Sequence, residues 1–241
     1  MSIQNNNNTS ANDNPHEQPE YAIKKPFLEK MSDFFTARVD IYDEHMLNEV
    51  EGCREGYLKM AELVPENTET ILDLGCGTGL ELAGIFKRFP NVSVVGIDLT
   101  RAMLDKLRQK YPDKNIELIC GNFFDVYFGE KRFDTAVSFQ AMHHFPHSEK
   151  VKLYKKIHKA LKSKGIYIEC DYMVTEQSVE DELFAEYERL KRELEIPDGE
   201  FYHFDIPCTI DNQILMLNKA GFTSAEMIWR LGNTTIIAAK K

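Results

Sequence analysis

The chain reads as an α/β protein with a mostly parallel sheet covered on both faces by helices. Three observations predict this. Short apolar runs alternate with stretches of helical period from Ile71 to Cys170. One such run, Ile71 to Leu74, feeds three alternating glycines, Gly75, Gly77 and Gly79, and a helical pattern begins at Leu80. Another, Val92 to Ile97, ends in an acid, Asp98, 19 residues after Gly79. Strands spaced by helices make a parallel sheet. Ligands bind at the carboxyl ends of its strands, where Gly75–Gly79, Asp98, Asn122 and Gln140–His144 all fall.

Composition sets the bounds. A chain of 241 residues with 43% hydrophobic content can bury one sizeable core. No apolar run is long enough to cross a membrane, and no signal-peptide pattern is present, so a soluble, cytoplasmic protein is expected. The five cysteines include no C-x-x-C pair, which favours reduced, packed thiols over disulfides or zinc. A net charge of −10 disfavours a large nucleic-acid surface, which needs a positive footprint.

Taken in order, residues 1–20 are rich in Asn, Ser, Asp and Pro and are expected to be a disordered leader, native or added. Residues 21–65 read as a helical cap. Pro26 to Met60 has Phe27, Met31, Phe34 and Phe35 at helical spacing, and a further helix runs from about Glu51 to Leu63. Residues 66–241 form the main domain. Ile71–Leu74 is its first strand and Leu80–Phe89 a helix. Val92–Ile97 is the second strand and Arg101–Tyr111 a helix, with Thr100 as its expected cap. Ile116–Cys120 and Phe133–Ser138 are the third and fourth strands, Ser148–Leu161 is a helix, and Ile166–Cys170 is the fifth strand. Residues 174–208 are expected to be an insertion or lid. It holds a long acidic helix, capped by Ser178, with Glu188 and Arg192 at pairing distance. Thr209–Ala220 is the last helix, and a hairpin of Ser224–Arg230 and Thr234–Ala239 closes the chain. The seven lysines from Lys150 to Lys164 read as a solvated outer face.

Dinucleotide loops read G-x-G-x-x-G, whereas this one reads Asp73-x-Gly75-x-Gly77-x-Gly79. That pattern resembles motif I of the class I S-adenosylmethionine (SAM) dependent methyltransferases and argues against a nicotinamide dehydrogenase. The resemblance implies a Rossmann-like sheet of seven strands, mostly parallel with an antiparallel last strand. It also implies an N-terminal helical cap and an inserted helix or lid after strand five. SAM is the implied cofactor, with S-adenosyl-L-homocysteine as product. Asp73, Gly75, Cys76, Gly77 and Gly79 would hold its methionine part, and Asp98 with Leu99 its ribose. Asn122 and Phe123 would hold the adenine. Asn122 departs from the acid usual at its position, although its amide oxygen can still accept. Ser138 and Phe139 follow in the fourth strand. Tyr42 and Arg38 are cap candidates for closing over the donor, against the alternative that the aromatic stripe is packing.

The loop Ser138 to Phe145 lacks the Asp/Asn-Pro-Pro-aromatic signature of methyltransferases acting on exocyclic or amide nitrogen. It resembles small-molecule methyltransferases that carry His-His here. His143 and His144 are therefore candidates for a substrate-facing or base role, since imidazole titrates near neutrality. Tyr172 and His203 are further candidates in the pocket wall. No metal is expected: adjacent side chains rarely converge on one ion, and no acid partner accompanies the pair at helical spacing. The leading expectation is methyl transfer to oxygen, nitrogen or carbon of a small molecule, by a monomer or homodimer. Alternatives are an RNA-modification enzyme, an enzyme that makes a carboxylated SAM, and a SAM-binding protein without catalysis.

Overall fold

The computed structural model describes residues 28–241. The expected leader, 1–20, lies outside them, as does the start of the expected cap. Helix α1 (Met31–Asn48) and helix α2 (Cys53–Leu63) precede the sheet. The second falls within the helix expected from about Glu51 to Leu63, and Gly52, at a left-handed backbone angle, turns the chain between the two. The sheet then builds in alternation: β1 (Thr70–Leu74), α3 (Leu80–Arg88), β2 (Ser93–Asp98), α4 (Arg101–Lys110), β3 (Ile116–Cys120) and β4 (Phe133–Phe139). It continues with α5 (His147–Ala160), β5 (Leu161–Val174), α6 (Gln177–Glu193), β6 (Cys208–Thr209), α7 (Ile210–Ala220), β7 (Ser224–Leu231) and β8 (Thr234–Lys240).

The strand order is β3-β2-β1-β4-β5-β8-β7, with the two-residue β6 beside β5 as an eighth strand. β8 runs antiparallel to both β5 and β7, so the last strand is antiparallel as expected. The order reverses at β1, whose neighbours are β2 and β4. That reversal opens a crevice at the carboxyl ends of the strands.

Alternate residues along each strand feed two separate cores, as the period-two geometry of a strand requires. Ile71, Val94, Val137 and Ile168 face α2, α3 and α4, packing with Met60, Ile85 and Leu107. Leu72, Val95, Ala136 and Tyr167 face α5 and α7, packing with Leu153, Ile157 and Leu217. Each buried aliphatic chain of this kind contributes about 1.5–3 kcal/mol relative to exposure.

Several local expectations are corrected. Thr100 stands at the start of α4, but its side chain makes no cap bond. Thr209, at the start of α7, does make one, accepting from the Asn212 N–H at 3.3 Å. Glu176, not Ser178, begins α6. Within α6 the ion pairs are Arg189 with Glu186 and Glu193 rather than Glu188 with Arg192. The lysine face is not uniformly solvated. Lys150 is fully buried beside the Cys208 thiol, and Lys156 donates to the carbonyls of Phe123 and Phe124. All five cysteines are free thiols.

Candidate active site

The loop after β1 is shaped by three positive-φ glycines, at +71°, +47° and +74°. A Cβ on Gly75 would meet the Ala141 side chain at 2.8 Å. Gly77 turns toward Tyr42 of α1, and its N–H donates to Asp98 Oδ2 at 2.9 Å. Asp98 Oδ1 accepts from the Thr100 N–H at 2.7 Å. The acid thus links the end of β2 to the loop after β1, and each oxygen keeps a further lone pair. Burial raises the Asp98 carboxyl above its ordinary range, against the pull of these two backbone donors.

A cavity enclosing about 640 Å³, its open mouth included, lies along these groups. Gly75, Gly77, Asp98, Leu99, Asn122 and Phe123 line it, and Tyr42 closes one side. Asn122 Oδ1 accepts from the Phe124 N–H at 2.9 Å, so one of its lone pairs is already used in the turn. Met103 and Phe201 also reach the cavity. Neither belonged to a recognisable motif, although the helical spacing of Met103 placed it on a buried face.

Other expected cofactor contacts fall elsewhere. Ser138 is buried on the other side of β4, bonded to the Tyr167 hydroxyl at 2.7 Å. Phe139 stacks on Tyr57 with ring centroids 3.7 Å apart. Strand alternation carries both away from the crevice. Cys76 is buried against Gly96, and Gly79 closes on Leu107, with its carbonyl accepting from the Tyr111 hydroxyl. Arg38 faces a different cavity, pairing with Glu29 at 3.0 Å and lying over the Phe34 ring.

Asp73 does not line the cavity. It is buried beneath the glycine loop against Glu81 of α3, and apart from a proton shared between the two carboxyls no donor reaches either Asp73 oxygen or Glu81 Oε1. Burial and mutual repulsion hold Asp73 well above the usual carboxylate range, and burial lifts Glu81 to about 7. Unsatisfied buried carboxyls cost free energy unless a donor or cation arrives. A positive-φ glycine cradle above two orphaned acids suits a ligand whose tail carries an ammonium, as the methionine part of SAM does.

Past Gln140 and His144 the cavity adjoins a second, larger one. Its walls come from α1, the turn after β4, the end of β5 and the 201–205 loop. The start of α1 is tied to that loop: the Met31 N–H donates to the Phe201 carbonyl at 3.1 Å, and the His203 N–H to the Glu29 carbonyl at 2.9 Å. Phe34 stacks on His203 at 3.4 Å between centroids. The cap and the lid therefore form one wall. α1 is also fixed to the glycine loop, since Asp43 accepts from the Thr78 hydroxyl at 2.5 Å and pairs with Lys110 at 2.6 Å.

His143 and His144 sit in a short 3-10 turn (Met142–His144), and both are buried. His143 Nδ1 contacts Asp171 Oδ1 at 2.5 Å. Its Nε2 lies 3.5 Å from Asp205 Oδ1, and His144 Nδ1 lies 3.2 Å from the same oxygen. Burial opposes a charge on His143, but the two carboxylates outweigh it and raise the group to about 9. Burial and the neighbouring charge of His143 lower His144. Tyr172 and His203 line this second cavity, with His203 lowered to about 4 by burial and the nearby imidazoles. Asp205 was missed from the sequence. An acid in a lid loop 60 residues from the histidine pair carries no spacing signal. The adjacent histidines converge on one carboxylate, because the tight turn aims both rings the same way.

Strand order, glycine loop and crevice acid together define a class I nucleoside-binding α/β domain. A methyltransferase-domain family model matches residues 71–165, which span the glycine loop, Asp98, Asn122 and the histidine pair. Carboxy-S-adenosyl-L-methionine synthase of Nautilia profundicola is 25% identical over 233 residues, covering 90% of this chain and 98% of that protein. Sterol 24-C-methyltransferase of Kluyveromyces lactis is 28% identical over 176 residues, covering 71% of this chain and 45% of the relative. The fold matches an O-methyltransferase family protein from Burkholderia thailandensis with a TM-score of 0.66 at 17% identity, over 88% of this chain and 63% of that one. It also matches human N-acetylserotonin methyltransferase, solved with SAM, with a TM-score of 0.59 at 15% identity, over 86% and 55%. Residues 71–165 thus match a methyltransferase domain, and the fold around them is the one that SAM-dependent methyltransferases share.

Proposed function

We propose that the chain transfers a methyl group from SAM to a small molecule held in the second cavity. The observation that supports this best is the meeting of the two cavities at Gln140 and His144. The glycine loop and Asp98 would hold the donor on one side, with the orphaned Asp73–Glu81 pair beneath its ammonium. When bound, SAM supplies a methyl on a sulfonium, and the acceptor's lone pair takes it as the sulfur–carbon bond breaks, leaving neutral S-adenosyl-L-homocysteine. Placement at contact distance does most of this work. Phe35, Tyr42 and Phe201 shield the junction from water, which favours a step that disperses charge. His144, at the junction, faces the acceptor's reacting atom. His143 is oriented by Asp171 one layer back, and Tyr172 and His203 wall the acceptor.

The acceptor is a neutral or cationic molecule of metabolite size rather than RNA. Cap and lid wall the cavity, and the chain is acidic. Labelled-methyl transfer from SAM into a metabolite extract, with and without His144→Ala, tests this. A labelled small product that disappears in the variant is the expected result, and label found only in RNA would overturn it. A second reading, modification of SAM itself, draws on the end-to-end alignment with the carboxy-S-adenosyl-L-methionine synthase of Nautilia profundicola. Mass spectrometry of the nucleoside extracted from the purified chain separates the two, because carboxylation changes the donor's mass.

A further inference from the structure

We infer that His143, His144 and Asp205 form a binding site for a single divalent transition-metal ion at the floor of the second cavity. Nothing in the similarity to methyltransferases assigns such a site. One ligand atom from each residue lies within 4.8 Å of the others. Ligand bonds of about 2.0–2.2 Å to such an ion place neighbouring donor atoms roughly 3–4 Å apart. His143 Nε2 and His144 Nδ1 stand 3.5 and 3.2 Å from Asp205 Oδ1, and His203 Nε2 stands 3.9 Å from it.

The contrast with Asp171 carries the argument. His143 Nδ1 meets Asp171 at 2.5 Å, the contact of a tight charge-assisted hydrogen bond. The Nε2 atoms of His143 and His203 are slack by comparison, at 3.5 and 3.9 Å; His144 Nδ1, 3.2 Å from Asp205, also lies 3.4 Å from the Phe204 carbonyl, and Asp205 Oδ1 is buried without a hydrogen-bond partner. The spacing suits donor atoms around a shared ion better than donors closed on an acceptor. The Asp171 contact also fits: a metal-ligating histidine ordinarily gives its other ring nitrogen to a carboxylate, which fixes the ring and leaves the outer nitrogen free to ligate. Asp171 is buried on β5 and held by the Tyr172 N–H at 2.9 Å, so it is a rigid second partner.

Two imidazoles and one carboxylate favour Zn²⁺, Fe²⁺, Co²⁺ or Ni²⁺ over Mg²⁺ or Ca²⁺, which prefer all-oxygen sets. Three protein ligands leave a position open toward the cavity, with His203 beside it. The ion's role, unlike its binding, rests on the methyl-transfer reading: it would hold an acceptor hydroxyl and ease loss of its proton to solvent.

The test uses the full chain stripped with a chelator and titrated with Co²⁺, which reports its ligand geometry by visible absorbance. One equivalent bound with a spectrum of low coordination number is expected. Asp205→Ala and His143→Ala should each abolish the spectrum. Asp171→Asn should weaken binding about 10–100-fold. Circular dichroism and thermal melting, measured on the same samples, verify that each variant is folded, and Asp98→Ala should bind Co²⁺ as the wild type does. No stoichiometric Co²⁺ binding, or binding unchanged in Asp205→Ala and His143→Ala, would overturn the site. Metal binding without SAM binding would instead overturn the methyl-transfer reading and leave the site standing.

Discussion

The donor half of the cleft takes Gly75, Gly77, Asp98 and Asn122 from the ends of β1, β2 and β3. The acceptor half takes Phe34 from α1, the His143–His144 turn from after β4, Asp171 and Tyr172 from β5, and His203 and Asp205 from the lid loop. In the donor half, each side chain stands at the end of a neighbouring strand of one sheet, so the sheet itself places it. In the acceptor half, each is placed by a partner from another segment. The first half can keep its geometry while surface loops vary, whereas the second depends on cap and lid closing together. A change in one half should therefore leave the other half's measurement nearly intact.

The largest effect should come from the acceptor half. His144→Ala should lower kcat by about 10²–10⁴-fold, since it removes the ring that faces the acceptor's reacting atom and, with it, one ligand of the inferred ion. Its SAM affinity should stay within a small factor of wild type, because the glycine loop and Asp98 are untouched. Steady-state kinetics with isothermal titration measures both. Equal losses in kcat and SAM affinity would show that the halves are coupled.

Next come the donor-half variants. Gly77→Val places a β-branched side chain at φ +47°, facing Tyr42. It should weaken SAM binding by about 100-fold or more, since left-handed strain and lost space act together. Asp98→Ala should weaken it by roughly 10–100-fold, the worth of charged hydrogen bonds to a sugar diol. Neither should change Co²⁺ binding at the histidine cluster. Asp43→Ala sharpens the comparison, because Asp43 joins α1 to Thr78 and Lys110. It should cost a few-fold in both SAM affinity and turnover, as an interaction across the boundary would.

The same contrast explains what the sequence allowed to be read. Ile71–Leu74 and the alternate glycines predicted a strand, a loop and a ligand, because positive φ and strand period are local properties. Ile116–Cys120 was placed at its observed bounds for the same reason. Ser138 and Phe139 were assigned to the cofactor from their position after β4, but β4 extends through Phe139 and its alternation turns both aside. Lys150 and Lys156 were read as solvated because a run of lysines hides which members point inward. Asp205 was out of reach, since its partnership with His143 and His144 exists only once the lid crosses the turn. Asp73 was recognised as a motif residue, yet its unpaired state depends on Glu81, a residue no motif singled out.

That pair gives the smallest predicted effect and the one most specific to the donor half. Glu81 titrates near 4.5 when unfolded and is lifted by burial to about 7 in the fold, with Asp73 also raised. Between those pH values the folded chain holds a proton that the unfolded chain has released. The unfolded state then binds fewer protons, so stability falls as pH rises across that window. In Glu81→Gln this contribution disappears, and comparison with wild type cancels the same trend from buried Glu169, which is also lifted to about 7. For a domain of this size each kcal/mol moves Tm by about 2–4 °C. Saturating SAM should shrink the wild-type fall, because an ammonium beside the pair favours its ionised form, and SAM affinity should strengthen through the same pH range. The two carboxyls titrate as a unit, so the readout is the difference curve rather than one residue's midpoint. A Tm difference between wild type and Glu81→Gln that is flat with pH would mean the acids are already satisfied, and the ammonium would have to be placed elsewhere along the glycine loop.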